Sequence, residues 1–459
     1  MSCKRVAGAW LVLVLCELLV ACGGGGSGMG SSASPASTQV SAIRGTLSGL
    51  KAGTSVTLLD NGGDSLKVST DGSFAFSTPL DDGASYAVTV GSQPAGQICS
   101  VGNGSGTVSS GHAITVTVAC ITGPSYAIVT NQGSNDVSVY SINVGTSALM
   151  PVPGSPFAAG ANPISVSVNS TGTLAFVANY NSNNVSIYSI NAASGALTQV
   201  PGSPFAAGAN PASVTVNQAS TLAFVANYQS SNVSVYSINS STGAMTQVPG
   251  SPFPVGANPY AVTVNPAGTL AFVANAGDND VSVYSINPST GALTQIPGSP
   301  FPAGASPSSV AVNPAGTLAF VTDYASGDVS VYSINANTGA LTQVPGSPFA
   351  AGANPVSVTV NPAGTLAFVA NYQSSNVSVY GINSSTGTLS QVPGSPFTTG
   401  TGPQSVTVNP EGTLAFVANL GSNNVSVYSV NAITGELTQV AGSPFAAGLN
   451  ATSVMVLQP

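Results

Sequence analysis

The sequence predicts an all-β protein: a seven-bladed β-propeller of four-stranded blades, closed by its own N- and C-terminal strands and preceded by a small β-sandwich. Three observations lead there. The tetrapeptide GSPF begins at Gly154, Gly202, Gly250, Gly298, Gly346, Gly394 and Gly442, an unbroken period of 48 residues. A fixed period of that size marks a propeller or a solenoid. Each period holds four short β-type runs, as at 212–216 (ASVTV), 221–227 (TLAFVAN), 232–238 (NVSVYSI) and 244–248 (AMTQV), which is the strand count of a propeller blade. Finally, 53 glycines and 32 prolines among 459 residues, with only 4% charged, describe a chain of strands and turns whose polarity comes from Ser, Thr, Asn and Gln.

Taken in order, residues 1–21 read as an export signal, with Lys4 and Arg5 followed by an apolar stretch at 6–20 that only Glu17 interrupts. It is too short for a good membrane span. The run LLVAC at 18–22 resembles the bacterial lipoprotein signal, which implies that Cys22 is lipidated and becomes the new N-terminus. The expected location is therefore the bacterial cell envelope, at the outer membrane or cell surface, with the membrane as a partner through the lipid anchor. Residues 22–39 are rich in Gly and Ser and read as a flexible tether. Processing would remove Cys3 and Cys16, and lipid would occupy Cys22. Cys99 and Cys120 remain, and in an exported chain they are expected to form one disulfide, closing a loop of about 20 residues and stabilising by about 3 kcal/mol in the chain-entropy model.

Residues 40–122 alternate apolar and polar positions in short runs separated by turn clusters such as Asn61-Gly62-Gly63 and Asp81-Asp82-Gly83. This is the pattern of a small β-sandwich, similar to immunoglobulin-like or carboxypeptidase-regulatory-like modules. The chain's one histidine, His112, falls here in a turn-type sequence, and a single histidine makes no metal site.

Residues 123–459 carry the repeat. NPAG at 265, 313 and 361 has the residue preferences of a type I turn joining the first strand of a blade to the second. The fourth strand runs into VPGSPF, whose prolines remove ladder donors and so belong on the outermost, edge strand, where they also discourage pairing between molecules. Second strands begin near Ser125, Thr173, Thr221, Thr269, Thr317, Thr365 and Thr413, and first strands lie at 164, 212, 260, 308, 356, 404 and 452. The segment thus enters on a second strand and leaves on a first strand. The terminal run at 452–457 is expected to complete the blade begun at Ser125.

The run YAIVTN at 126–131 and its copies LAFVAN, each followed by VSVYSIN-like and TGALTQVPGSPF-like runs, resemble the bacterial YVTN and seven-bladed propeller lactonase group over residues 124–459. The resemblance implies the fold. It also implies lactone hydrolysis of the 6-phosphogluconolactonase type, although the same group holds secreted propellers with no assigned activity, and fold alone does not choose between them.

Composition narrows the chemistry. The five cationic residues are Lys4, Arg5, Arg44, Lys51 and Lys67, and His112 also precedes the repeats, so residues 123–459 contain no Lys, Arg or His. A phosphosugar site ordinarily recruits Arg or Lys, and hydrolysis wants a base that titrates near neutrality. Nucleic-acid binding lacks its basic patch. The acids of this segment are Asp136, Asp278, Asp280, Asp323, Asp328, Glu411 and Glu436. The five aspartates fall between second and third strands and are expected on one face of the ring. Asp278, Asp280, Asp323 and Asp328, from adjacent blades, are candidate ligands for calcium; the competing reading is solvated turn residues, because their spacing matches no known calcium loop.

A second series, Asn131, Asn179, Asn227, Asn275, Asp323, Asn371 and Asn419, ends each second strand and is expected to close the following turn through its side chain. Only Asp323 departs. In so regular a repeat a unique site must lie where the copies differ, which singles out Asp323 together with Tyr260, Gln404 and Leu420 as a candidate ligand face. Tyr260 either stacks on a sugar ring or fills space. The leading functional expectation is a lipid-anchored, non-catalytic platform for a protein or neutral glycan, with no cofactor required. The alternative is a lactonase-type hydrolase, metal-assisted through the Asp278–Asp328 face. No catalytic residue is assigned.

Overall fold

LAFVAN is an almost continuous apolar run and VSVYSI breaks its apolar residues only with serine, so each forms a strand that is buried on both faces, as a blade covered by a neighbour on either side requires. In the computed structural model, which describes residues 40–94, 96–109 and 114–459, these runs form seven separate antiparallel sheets. The signal and tether at 1–39, including Cys22, and His112 lie outside the described residues.

The third blade shows the plan. Its strands run Pro211–Val216, Leu222–Asn227, Asn232–Ile238 and Met245–Gln247 from the inside outward, each antiparallel to the last. The turn sequence at 217–220 joins the first two strands, with the Asn217 carboxamide oxygen accepting from the backbone N–H groups of Thr221 and Leu222 at 2.9 Å. Residues such as Phe224, Val225, Val233 and Val235 are fully buried. The apolar core is distributed between blades: Phe224, Val233 and Val235 share a cluster with Val262, Val273 and Tyr284 of the next blade. Seven such clusters surround the ring.

One feature differs from the four-strand expectation. The outermost strand is broken in two, so that Met245–Gln247 pairs with one end of the third strand and Phe253–Pro254 with the other. The prolines and the left-handed Gly250 (φ +85°) take the chain around the break. The third-strand donor this would orphan is recovered by serine: Ser251 Oγ accepts from Val235 N–H at 2.8 Å. The same contact recurs in every blade, from Val139 to Ser155 through Val427 to Ser443. A buried tyrosine on the third strand adds a link between blades, as when Tyr236 Oη donates to Ala206 O at 2.6 Å.

Ring closure follows the expected scheme. The terminal strand Ala451–Leu457 pairs antiparallel with Ser125–Asn131, completing a blade from both ends of the segment. Tyr140 Oη, donating to Ala446 O at 2.8 Å, ties that blade to the seventh.

Residues 40–122 form two four-stranded sheets around a shared core that includes Leu47, Val56, Leu58, Phe74, Val116 and Val118. A two-residue pair, Val40–Ser41 with Leu80–Asp81, stands beside them. Cys99 and Cys120 lie opposite one another on neighbouring strands and are joined by a disulfide. Among the described residues no helix is long and apolar enough to cross a membrane.

Candidate functional site

The channel mouth is built by a bulge that recurs in each blade. Proline at the start of the inner strand lacks the N–H needed to continue a regular ladder. Pro211 pairs with Asn227 and Ser213 with Ala226, which leaves residue 212 unpaired, and the same slip occurs at 164, 260, 308, 356 and 404. In the closing blade the irregularity falls between Thr130 and Asn131, opposite residue 452. A bulge re-aims its side chain out of the ladder, and here the bulged residues line the channel. Beside them stand the residues that follow each second strand, among them Gln132, Tyr180, Tyr228, Tyr324, Tyr372 and Leu420. These two tiers enclose adjoining cavities of about 420 and 520 Å³, within the usual range for small-molecule sites.

The structure brings Tyr260, Gln404 and Leu420 together at this mouth. Tyr260 and Gln404 are bulge residues three blades apart, and the Gln404 Nε2 donates to Tyr260 Oη at 3.4 Å. Tyr228 stands edge-on to Tyr260 with ring centroids 6.2 Å apart, and Tyr180 lies 6.3 Å beyond it. Burial raises the hydroxyl pKa of Tyr260 and Tyr180 above the ordinary tyrosine value, so both remain protonated hydrogen-bond donors through neutral pH. No residue lining either cavity is charged.

Two bulge hydroxyls are committed to the scaffold. Ser308 donates to Pro355 O at 3.0 Å and meets Thr322 Oγ1 at 3.0 Å. Thr452 donates to Pro163 O at 3.1 Å and meets Thr130 Oγ1 at 2.9 Å. Both are thus locked between neighbouring blades. Sequence reasoning missed this pair of clamps; its signal was Thr130 and Thr322 standing where Ala178, Ala226, Ala274, Ala370 and Ala418 stand in the other copies.

The four aspartates proposed for calcium are not gathered into a cation cage. Among the described residues no group of three or more His, Cys, Asp or Glu is placed to hold a metal ion. Each is engaged locally instead. Asp278 accepts from Ala257 N–H at 2.6 Å, and Asp280 accepts from Asn275 Nδ2 at 2.7 Å. Asp323 accepts from Ser330 Oγ at 2.7 Å, and it pairs with Asp328 across the two strand ends. The physical reason is that three of the four sit at strand ends, where the ladder spreads them between two sheets.

The strand-ending series is fully buried, and it does more than close a turn. Asn179 donates through Nδ2 to Asn184 Oδ1 and Ser186 Oγ, at 2.8 and 2.9 Å, while its oxygen accepts from Gly160 N–H at 3.1 Å. The side chain therefore ties the second strand, the third strand and the crossover from the preceding blade. A Cβ on Gly160 would come within 2.6 Å of Asn179, which is why glycine is needed there. In the fifth blade Asp323 faces Asp328, and one oxygen of each is buried without a partner. Burial raises both carboxyls, that of Asp323 to about 7.

Together these features define a closed seven-bladed propeller with an uncharged, tyrosine-rich mouth. The chain belongs to the lactonase, 7-bladed beta-propeller family, whose model matches residues 123–207 and 198–451. No curated protein matches the sequence. Among solved structures it is similar to a candidate 6-phosphogluconolactonase of Bacteroides uniformis, at 19% identity and a TM-score of 0.65, covering 73% of this chain and 100% of that one. A periplasmic gluconolactonase of Pseudomonas aeruginosa is similar at 19% identity and a TM-score of 0.63, again over 73% and 100%. At such identity these likenesses bear on the fold.

Proposed function

We propose that this protein is a lactonase-type hydrolase whose propeller mouth accepts an uncharged lactone and not a phosphorylated one. The family match supports lactone chemistry, and one observation carries the choice of substrate: a mouth lined by Tyr, Gln, Ser and aliphatic side chains with no charged group. Tyrosine faces offer stacking surface to a sugar-like ring. A protonated tyrosine hydroxyl donates to the acyl oxygen as charge develops there. Water then adds to the acyl carbon, one of its protons passes to the ring oxygen as the ring C–O bond breaks, and a hydroxy acid leaves. Its carboxylate is disfavoured in a segment with seven acids and no cation, which promotes release. A lipid on Cys22, expected from the sequence, would hold the enzyme at the cell envelope.

A second reading, a non-catalytic platform for a neutral glycan, is favoured by the absence of His, Asp, Glu or Lys among the residues lining the mouth. The two readings separate in one assay. The full chain, with and without calcium or chelator, is incubated with D-glucono-1,5-lactone and acid release is followed against the spontaneous rate. Acceleration indifferent to chelation is expected; saturable binding without acceleration would replace the hydrolase by the platform.

A further inference from the structure

The bulge positions differ sharply from the rest of the repeat. The residues before and after them are nearly constant, Pro on one side and Ser or Ala on the other in most blades, while the bulged residues run Ile164, Ala212, Tyr260, Ser308, Val356, Gln404 and Thr452. A side chain aimed out of the ladder is not fixed by strand pairing, and what holds it differs from blade to blade. Ser308 and Thr452 are held by neighbouring blades, and Ile164, Ala212 and Val356 are apolar. Tyr260 and Gln404 are the two polar bulge residues that serve no such clamp. They meet each other across the mouth, where both cavities share them as wall.

Their contact is weak. At 3.4 Å it lies beyond the usual N–H···O range of 2.7–3.2 Å. In that contact Gln404 is the donor, which leaves the Tyr260 hydroxyl proton to be given elsewhere, and the second Gln404 donor and its carbonyl to be shared with a ligand.

We infer that Tyr260 and Gln404 are the specificity-determining pair of the mouth: a bound neutral ring inserts between them, taking the Tyr260 hydroxyl proton on a carbonyl oxygen and giving a ring hydroxyl to the Gln404 carboxamide. The ligand class is a monocyclic, uncharged compound bearing a carbonyl and a hydroxyl, stacked beside Tyr228. This deepens the lactone reading above and rests on it. The weak cross-mouth contact is the resting state of the site, replaced on binding at little cost because the ligand supplies better partners to both ends.

The test measures binding of two probes to the full chain by ligand-observed NMR: D-glucono-1,5-lactone, which has the carbonyl, and methyl β-D-glucopyranoside, which lacks it. Tyr260→Phe removes the hydroxyl alone. Tyr260→Ser and Gln404→Val install residues that the fifth and sixth blades already carry at this bulge, and an unchanged Tm checks that each variant is folded. The wild-type chain is expected to prefer the lactone, Tyr260→Phe to erase that preference, and Tyr260→Ser and Gln404→Val to weaken both probes about tenfold or more, the scale of one lost hydrogen bond to a ligand. Wild-type binding that these substitutions leave unchanged overturns the pair while leaving the lactone reading standing. Failure of the wild-type chain to bind either probe overturns both.

Discussion

Asp323 is the one place where the strand-ending amide becomes an acid. In the first and fourth blades, Asn131 and Asn275 donate to Asp136 and Asp280 at 2.6 and 2.7 Å. Asp323 has no amide hydrogen to give to Asp328, so only a proton on the pair can do that work. Burial holds the Asp323 carboxyl up at about 7, against about 3.9 in an unfolded chain. The sign follows from linkage. Between those values the unfolded chain releases the proton while the folded chain keeps it, so stability falls as pH rises through that window and levels above it. Asp323→Asn restores the amide of the other six blades. We expect it to raise Tm by several degrees near pH 8, to change it little near pH 4, and to flatten the slope between. A wild-type Tm that is level across that window would contradict the shared proton. The departure at 323 was legible in the sequence; its burial was not, because alternation along a strand does not reveal how deep its last residue lies.

At the level of elements, strands and blades were readable from period and alternation, but two devices were not. The bulge depends on register, which a run such as PASVTV does not display, and it takes the variable residues 212, 260 and 404 out of the ladder. The broken outer strand depends on what replaces its lost hydrogen bonds. VPGSPF reads as edge protection through its prolines, yet the serine is the residue that satisfies the third strand. Ser251→Ala leaves the Val235 N–H without that partner and should cost about 1–3 kcal/mol, whereas Tyr236→Phe loses a link between blades worth about 1 kcal/mol. Chemical denaturation with an unchanged slope would measure both. Equal and negligible losses would show that neither contact is needed.

For the whole molecule, closure of the ring was legible because the strand series is offset by one: the segment begins on Ser125–Asn131 and ends on Ala451–Leu457. That closure places all bulges at one opening. The missing cations of residues 123–459 were equally plain, but which uncharged side chains would meet there was only partly so. Tyr260, Gln404 and Leu420 stood out by differing from their copies, while Tyr180, Tyr228, Tyr324 and Tyr372 were hidden by recurring. The four aspartates looked like one cluster because sequence places them on one face without giving their separation.

The central claim, an uncharged mouth for an uncharged ring, is tested most directly by the ratio of kcat/KM for D-glucono-1,5-lactone to that for its 6-phosphate. With no cation to hold a phosphate dianion, and acids nearby, the ratio should exceed about 100, the scale on which unpaired buried charge is penalised. A ratio below one would contradict the account.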